Sequence, residues 1–186
     1  MTSARIRSVF RAVVIFFVFA GVNNSALAAG ADEYQVKAAF IYKFCLYIDF
    51  PANAFADENS PLLIAVAGPS EIATNLREVT QGRKINGRVI AIARSTDSDV
   101  SALQVLYISA SEMSAASKLI ARLRGTHTLL ITESPSGTVA GSVINFAMQD
   151  NRVRFDIDLD AASQRGLHVG AQLLQVARSV QKGDSP

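Results

Sequence analysis

The stretch "GSVINFAMQDNRVRFDIDLDAA", residues 141–162, constrains the fold more than any other part of the chain. On both sides of Asp150-Asn151, apolar and polar residues alternate with the period-two pattern of a half-buried strand. Asp150-Asn151 suits a two-residue hairpin turn, since both residue types tolerate left-handed backbone. That turn sets the register: Ile144 faces Ile157, Asn145 faces Asp156, Phe146 faces Phe155 and Ala147 faces Arg154. One face then carries Ile144, Phe146, Met148, Val153, Phe155 and Ile157, and must be buried against another layer. The other carries Asn145, Arg154, Asp156 and Asp158 and reads as a solvated surface. Asp160 reads as the cap of the helix beginning "AASQ".

Upstream, helical and extended patterns alternate. "YQVKAAFIYKFCLYIDFP", from Tyr34, reads as a helix stopped by Pro51, with Val36, Phe40, Phe44, Tyr47 and Ile48 as its core face. "PLLIAVAG" (61–68), "GRVIAIAR" (87–94), "LQVLYIS" (103–109) and "THTLLITE" (126–133) are short apolar runs that read as buried strands. "PSEIATNLREV" and "SEMSAASKLIARLRG" (111–125) read as helices between them. The tail "HVGAQLLQVARSV" reads as a last helix burying Val169, Leu173, Val176, Ala177 and Val180. The expectation is an α/β fold: one layered domain over residues 29–186, a mixed, mostly parallel sheet flanked by helices, with a C-terminal antiparallel hairpin and a final helix.

Residues 1–28 read as a secretory signal peptide. Arg5, Arg7 and Arg11 precede the apolar run "AVVIFFVFAGV", and Ala26 and Ala28 form an A-x-A site. The run is shorter than the ~20 residues that span a bilayer. The expected location is the periplasm. The whole chain has 18 Lys+Arg and 16 Asp+Glu; the first 28 residues hold three arginines and no acid, which leaves 15 against 16 and a net of −1. A domain so near neutrality has no electrostatic footprint for nucleic acid. Cys45 is the only cysteine, so an internal disulfide is excluded, and within an apolar helix it reads as a small hydrophobe.

Few residues of the chain are arranged for chemistry. "AGPSEI" follows a strand and opens a helix, but its one glycine matches no phosphate-binding fingerprint. "ESPSG" is not a nucleophile elbow. His127 and His168 have no partner at metal-ligand spacing. Asp156 and Asp158 project side by side and could do acid/base work, or could pair with Arg152 and Arg154 at a wet surface. Neither a cofactor nor a metal is expected.

Two blocks carry a resemblance. "VKAAF-Y-F", here Val36, Lys37, Ala38, Ala39, Phe40, Tyr42 and Phe44 before Pro51, is followed late by "G--INF----RVRF-I-LDAA---GL". In the second block stand Gly141, Ile144, Asn145, Phe146, Arg152, Val153, Arg154, Phe155, Ile157, Leu159, Asp160, Ala161, Ala162, Gly166 and Leu167. Together they resemble the YfiR family of small periplasmic proteins, over about residues 34 to 180. The resemblance implies a non-catalytic adaptor or repressor that binds other proteins. Its partner would be the periplasmic sensor region of an inner-membrane diguanylate cyclase or similar sensor, so that it modulates cyclic-di-GMP signalling. An outer-membrane lipoprotein could draw it off, and a homodimer is compatible with the same reading. Redox-responsive members carry cysteine pairs, which this chain lacks.

Two surfaces are candidates for docking such a partner. One is the polar hairpin face, Asn145, Arg154, Asp156 and Asp158. The other is the flank of the first helix, where Ala39, Leu46 and Phe50 lie beside the core face with Lys43. Two alternatives stay open: a small-molecule-binding sensory module with a pocket around Gly68 to Glu71, and a hydrolase using Asp156 or Asp158. The leader reading is tested by intact-mass measurement on envelope-derived protein. The expected chain begins near Ala29, and a mass that retains residues 1–28 would sink it.

Overall fold

A run of four to six apolar residues between turn formers is long enough for one strand and too apolar for a half-exposed one. In a computed structural model, which describes residues 25–94, 100–135, 137 and 139–183, all four such runs form strands of one sheet, but only three are buried: the run over 88–94 lies one strand from the edge, half-exposed, with Val89 at 52%. They are β2 (Leu62–Ala67), β4 (Arg88–Arg94), β5 (Val105–Ile108) and β6 (Leu129–Glu133). The hairpin supplies β7 (Ile144–Gln149) and β8 (Arg152–Asp158). Strands β4, β2, β5, β6 and β7 are parallel neighbours in that order, and β8 closes antiparallel on β7. Two short strands cap the edges: β3 (Lys84–Ile85) on β4 and β10 (Ser179–Gln181) on β8. A separate two-stranded ladder joins β1 (Ile48–Asp49) to β9 (His168–Val169). The mixed, mostly parallel α/β fold expected from the alternation is therefore the observed one.

Each inner strand feeds two cores. In β5, Val105 and Tyr107 point to one face, and Leu106 and Ile108 to the other, all fully buried. The first face is covered by α1 (Ser25–Tyr47), α2 (Ser70–Thr80), α4 (Leu159–Gln164) and α5 (Ala171–Val176). The second is covered by Val100, Leu103 and α3 (Ser117–Arg122) with its flanking turns. Gly68 after β2 has a packing reason: a Cβ there would stand 2.7 Å from Ser109 Oγ, so the β2 and β5 ends approach too closely for a side chain. That accounts for the glycine of "AGPSEI" without any phosphate.

The hairpin pairs as its turn requires, Asn145 with Asp156 and Phe146 with Phe155, and Asp150 and Asn151 take φ of 50° and 56°. Its apolar face meets α1 in an aromatic cluster. The Phe155 ring lies 4.9 Å from Phe44 and 5.4 Å from Phe40, and Phe146 lies 5.6 Å from Phe44.

Five local expectations are corrected. Helix α1 stops at Tyr47, before Pro51, because Ile48 and Asp49 pair with β9. Its fully buried positions are Lys37, Ala38, Ile41, Phe44 and Cys45, continued by Ile48 in β1, whereas Val36 and Phe40 are half-buried and Tyr47 is exposed. The stripe over 111–125 is not one helix. A 3-10 turn at Ala110–Glu112 and further turns precede a six-residue α3, consistent with the serines at 111, 114 and 117. The tail helix is only α5; the chain turns extended at Ala177, and Val176 and Val180 are exposed. Finally, the cap of α4 is Asp158, whose Oδ1 accepts from Ala161 N at 2.8 Å, and not Asp160. The leader falls mainly on residues 1–24, outside the described ones; cleavage after Ala28 would remove only residues 25–28 from α1.

Burial pushes the Cys45 thiol up to about 12, so it carries no thiolate at neutral pH. Two outcomes are expected. Phe146→Ala or Phe155→Ala lowers stability by ~3–5 kcal/mol in denaturant melts, because each empties a space the other rings cannot fill. Cys45 reacts with a thiol reagent at pH 8 only when denaturant is added; rapid labelling of native protein would contradict its place in the core.

Candidate functional site

The face of the hairpin expected to be wet is closed at both of its central positions. Asn145 has no exposed surface. Its Oδ1 accepts from Thr132 Oγ1 at 3.0 Å and from Ser134 N at 2.9 Å, and its Nδ2 donates to Ser134 O at 3.2 Å. It therefore ties β7 to the chain leaving β6. Asp156 is 4% exposed because β10 lies alongside it. Arg178 Nε donates to Asp156 Oδ1 at 2.8 Å, Arg178 Nη2 holds Oδ2, and Ser179 Oγ donates to Oδ1 at 2.7 Å. Burial alone would raise the Asp156 carboxyl, but the bonds from Arg178 and Ser179 outweigh it and hold the pKa below the usual aspartate value.

Asn145 and Asp156 are thus corrected from docking residues to internal fasteners, while Arg154 is exposed and Asp158 is occupied as a helix cap. The hydrolase alternative loses its footing on the same bonds: both oxygens of Asp156 are engaged, and Asp158 serves a backbone N–H. Among the described residues no group of His, Cys, Asp and Glu could hold a metal ion.

The flank of α1 is partly open. Leu46 is 45% exposed, Lys43 is exposed and Ala39 is half-buried. Phe50 is half-buried against Phe55, ring centroids 6.2 Å apart. Tyr47, expected in the core, is instead 39% exposed, and its carbonyl accepts from Gly170 N at 2.8 Å. That bond and the β1–β9 ladder seat α5 beside the end of α1. Val176 of α5 is 61% exposed. Leu46, Tyr47 and Val176 are thus exposed apolar residues on elements that pack together.

A polar cluster on the inner side of α1 escaped the sequence reading. Lys37 is 1% exposed and forms ion pairs with Glu33, one helical turn earlier, and with Glu133 Oε1 at 2.8 Å. Tyr107 Oη donates to Glu133 Oε2 at 2.7 Å, and burial together with the Glu133 charge raises the phenol above its ordinary value. Glu133 ends β6, so the cluster sits at the carboxyl edge of the parallel strands. It borders a cavity of about 300 Å³ whose walls include Ser134, Phe146, Met148 and Arg178. The cavity lies at the ends of β6 and β7, and none of the residues from Gly68 to Glu71, where the sequence suggested a pocket, lines it. The available signal was a lysine and a glutamate each alone in an apolar run, in "VKAAFIY" and "LLITE".

The fold defines a layered α/β domain with a parallel centre, its polar clusters committed to holding elements together. Residues 34–178 match the YfiR/HmsC-like family, DUF4154, and the chain belongs to that family. No curated protein matches it. Two solved structures are similar to it. One is a conserved domain protein from Vibrio cholerae O1 biovar eltor str. N16961, at 14% identity with a TM-score of 0.52. The other is the ABC domain in complex with L-Trp from Streptococcus pneumonia, at 10% identity with a TM-score of 0.49. Each match covers 80% of this chain, and the chain spans 60% of the length of each of those proteins. At such identity the Vibrio likeness speaks for the fold alone.

The Asp156 clamp carries a prediction. Asp156→Asn should lower stability by ~1.5–3 kcal/mol, the range for hydrogen bonds to a charged group. A depressed folded-state pKa gives stability that is complete above the unfolded value and is lost as pH falls through the folded one. Urea melts should therefore weaken as pH drops below about 4, and the variant should show a smaller decline over that range. Parallel declines would mean the clamp does not govern acid stability.

Proposed function

We propose that this protein is a non-catalytic periplasmic regulator that acts by binding the periplasmic sensor region of an inner-membrane signalling protein. The partner in this reading is a diguanylate cyclase, held inactive until the regulator is withdrawn, with an outer-membrane lipoprotein as the competing binder. Membership of the YfiR/HmsC-like family supports the regulatory role and the periplasmic setting. The observation that carries the docking surface is the exposure of Leu46 and Tyr47 on the last turn of α1, beside α5 with its exposed Val176. Exposed apolar side chains grouped on adjoining elements commonly mark protein contacts, and a cation such as Lys43 at the rim favours an acidic partner edge.

In this reading Ala39, Lys43, Leu46 and Phe50 lie at or near the contact, and Arg154 is the member of the hairpin set that remains available to a partner. The test is Leu46→Asp. An exposed position tolerates the carboxylate, so the variant should melt with wild type. It should bind the solubilised cyclase at least about 100-fold more weakly, as expected for a central anchor, and cells carrying it should accumulate cyclic-di-GMP. A variant that folds and still binds removes α1 from the interface.

A further inference from the structure

Arg165 follows α4 directly and is 8% exposed, yet among the described residues no carboxylate pairs with it. Among the described residues its guanidinium donates to backbone carbonyls only: from Nε and Nη2 to Gly141 O at 3.3 and 3.0 Å, and from Nη1 to Leu123 O at 3.0 Å. A guanidinium has five N–H donors, so two of them meet no partner among the described residues. Burial depresses its pKa, with no acid opposing the effect. The backbone around it is held firmly, because His127 Nδ1 lies 2.8 Å from the Arg165 carbonyl and Gly166 takes the left-handed φ of 67°. Carbonyl dipoles, one of them at the end of α3, supply part of the missing negative charge. Buried ions are ordinarily met by a full counter-charge.

Arg165 also forms part of the wall of a cavity of about 570 Å³ between α3, α4 and the turn before β7. A second cation, Arg124, lines the same cavity and is exposed. Gln164 and Ser117 add polar groups, Ile120 and Val139 add apolar wall, and no aspartate or glutamate lines it. We propose that this cavity binds a small molecule through an oxyanion, a carboxylate or a phosphate. Arg165 is the buried anchor, Arg124 is the second cation, Gln164 is a neutral partner, and the ligand body rests on Ile120 and Val139. The site shares no residue with the α1 surface, so it stands or falls apart from the regulator reading.

The test titrates purified protein at low ionic strength with inorganic phosphate and, separately, with succinate, using calorimetry and the NMR signals of the arginine side chains. Saturable binding of one or both anions is expected, weakening as salt is added, with no binding of neutral succinamide. Phosphate alone would assign a phosphate-bearing ligand, and succinate alone a carboxylate. Arg124→Ala should weaken binding about tenfold, the scale of one charge-assisted contact, with an unchanged melt. Gln164→Leu should weaken it less. Absence of saturable binding to folded wild type would overturn the proposal, leaving Arg165 a clamp for carbonyls. Affinity unchanged in both variants would overturn it too, since the anion would then sit elsewhere.

Discussion

The ion pair between Lys37 and Glu133 sets the geometry of the larger core. A lysine within an apolar helix face is tolerable only where its charge is met, and an unpaired one would cost several kcal/mol. Glu133 offers that charge at one point, the end of β6, while Tyr107 fixes the other carboxylate oxygen. The pairing therefore sets the rotation of α1 about its axis. With Lys37 turned inward, Ile41, Phe44, Cys45 and Ile48 follow at helical spacing, and Phe44 arrives over the Phe146–Phe155 pair. The same rotation turns Leu46 and Tyr47 outward. The surface proposed for docking is thus a by-product of where a buried cation finds its partner.

Elements whose burial follows from their own residues were legible in the sequence. The four apolar runs and the hairpin register needed only periodicity and turn chemistry: all four runs are strands and the register is as expected, although the run over 88–94 is half-exposed and not buried. What stayed hidden depended on contacts across long sequence separations. Treating Lys37 as polar puts Val36, Phe40 and Tyr47 on the core face beside the correctly placed Phe44 and Ile48, and the inward turn of Lys37 is met by Glu133, 96 residues later, as well as by Glu33. The hairpin face looked wet because alternation cannot reveal that Arg178 and Ser179 return to cover Asp156. The tail kept a helical apolar period through Val180, yet pairing with β8 drew it into a strand. Of the docking residues, Leu46, Lys43 and Arg154 were placed on open surface, whereas Asn145 and Asp156 were not.

The two faces of the sheet divide the work. The α1 face is dense with aromatic rings and carries the main core. The α3 face is thinner, built on short turns and a six-residue helix, and holds the arginine-lined cavity. Helical coverage that short leaves room at its margin, where Arg165 finds carbonyls and no acid. One face thus carries a dense aromatic core, and the other an incompletely filled margin.

Strand β10 has a consequence beyond fastening Asp156. It is three residues long, but it covers part of a seven-residue strand whose Val153, Phe155 and Ile157 alternate with polar neighbours. Without it, β8 would present a long unpaired edge of the kind that recruits strands from other molecules. The residues around 178–181 therefore shorten the open edge of β8 to its first half. Shortening or obstructing this end would be felt first as aggregation during expression, before any loss of thermal stability in the molecules that do fold.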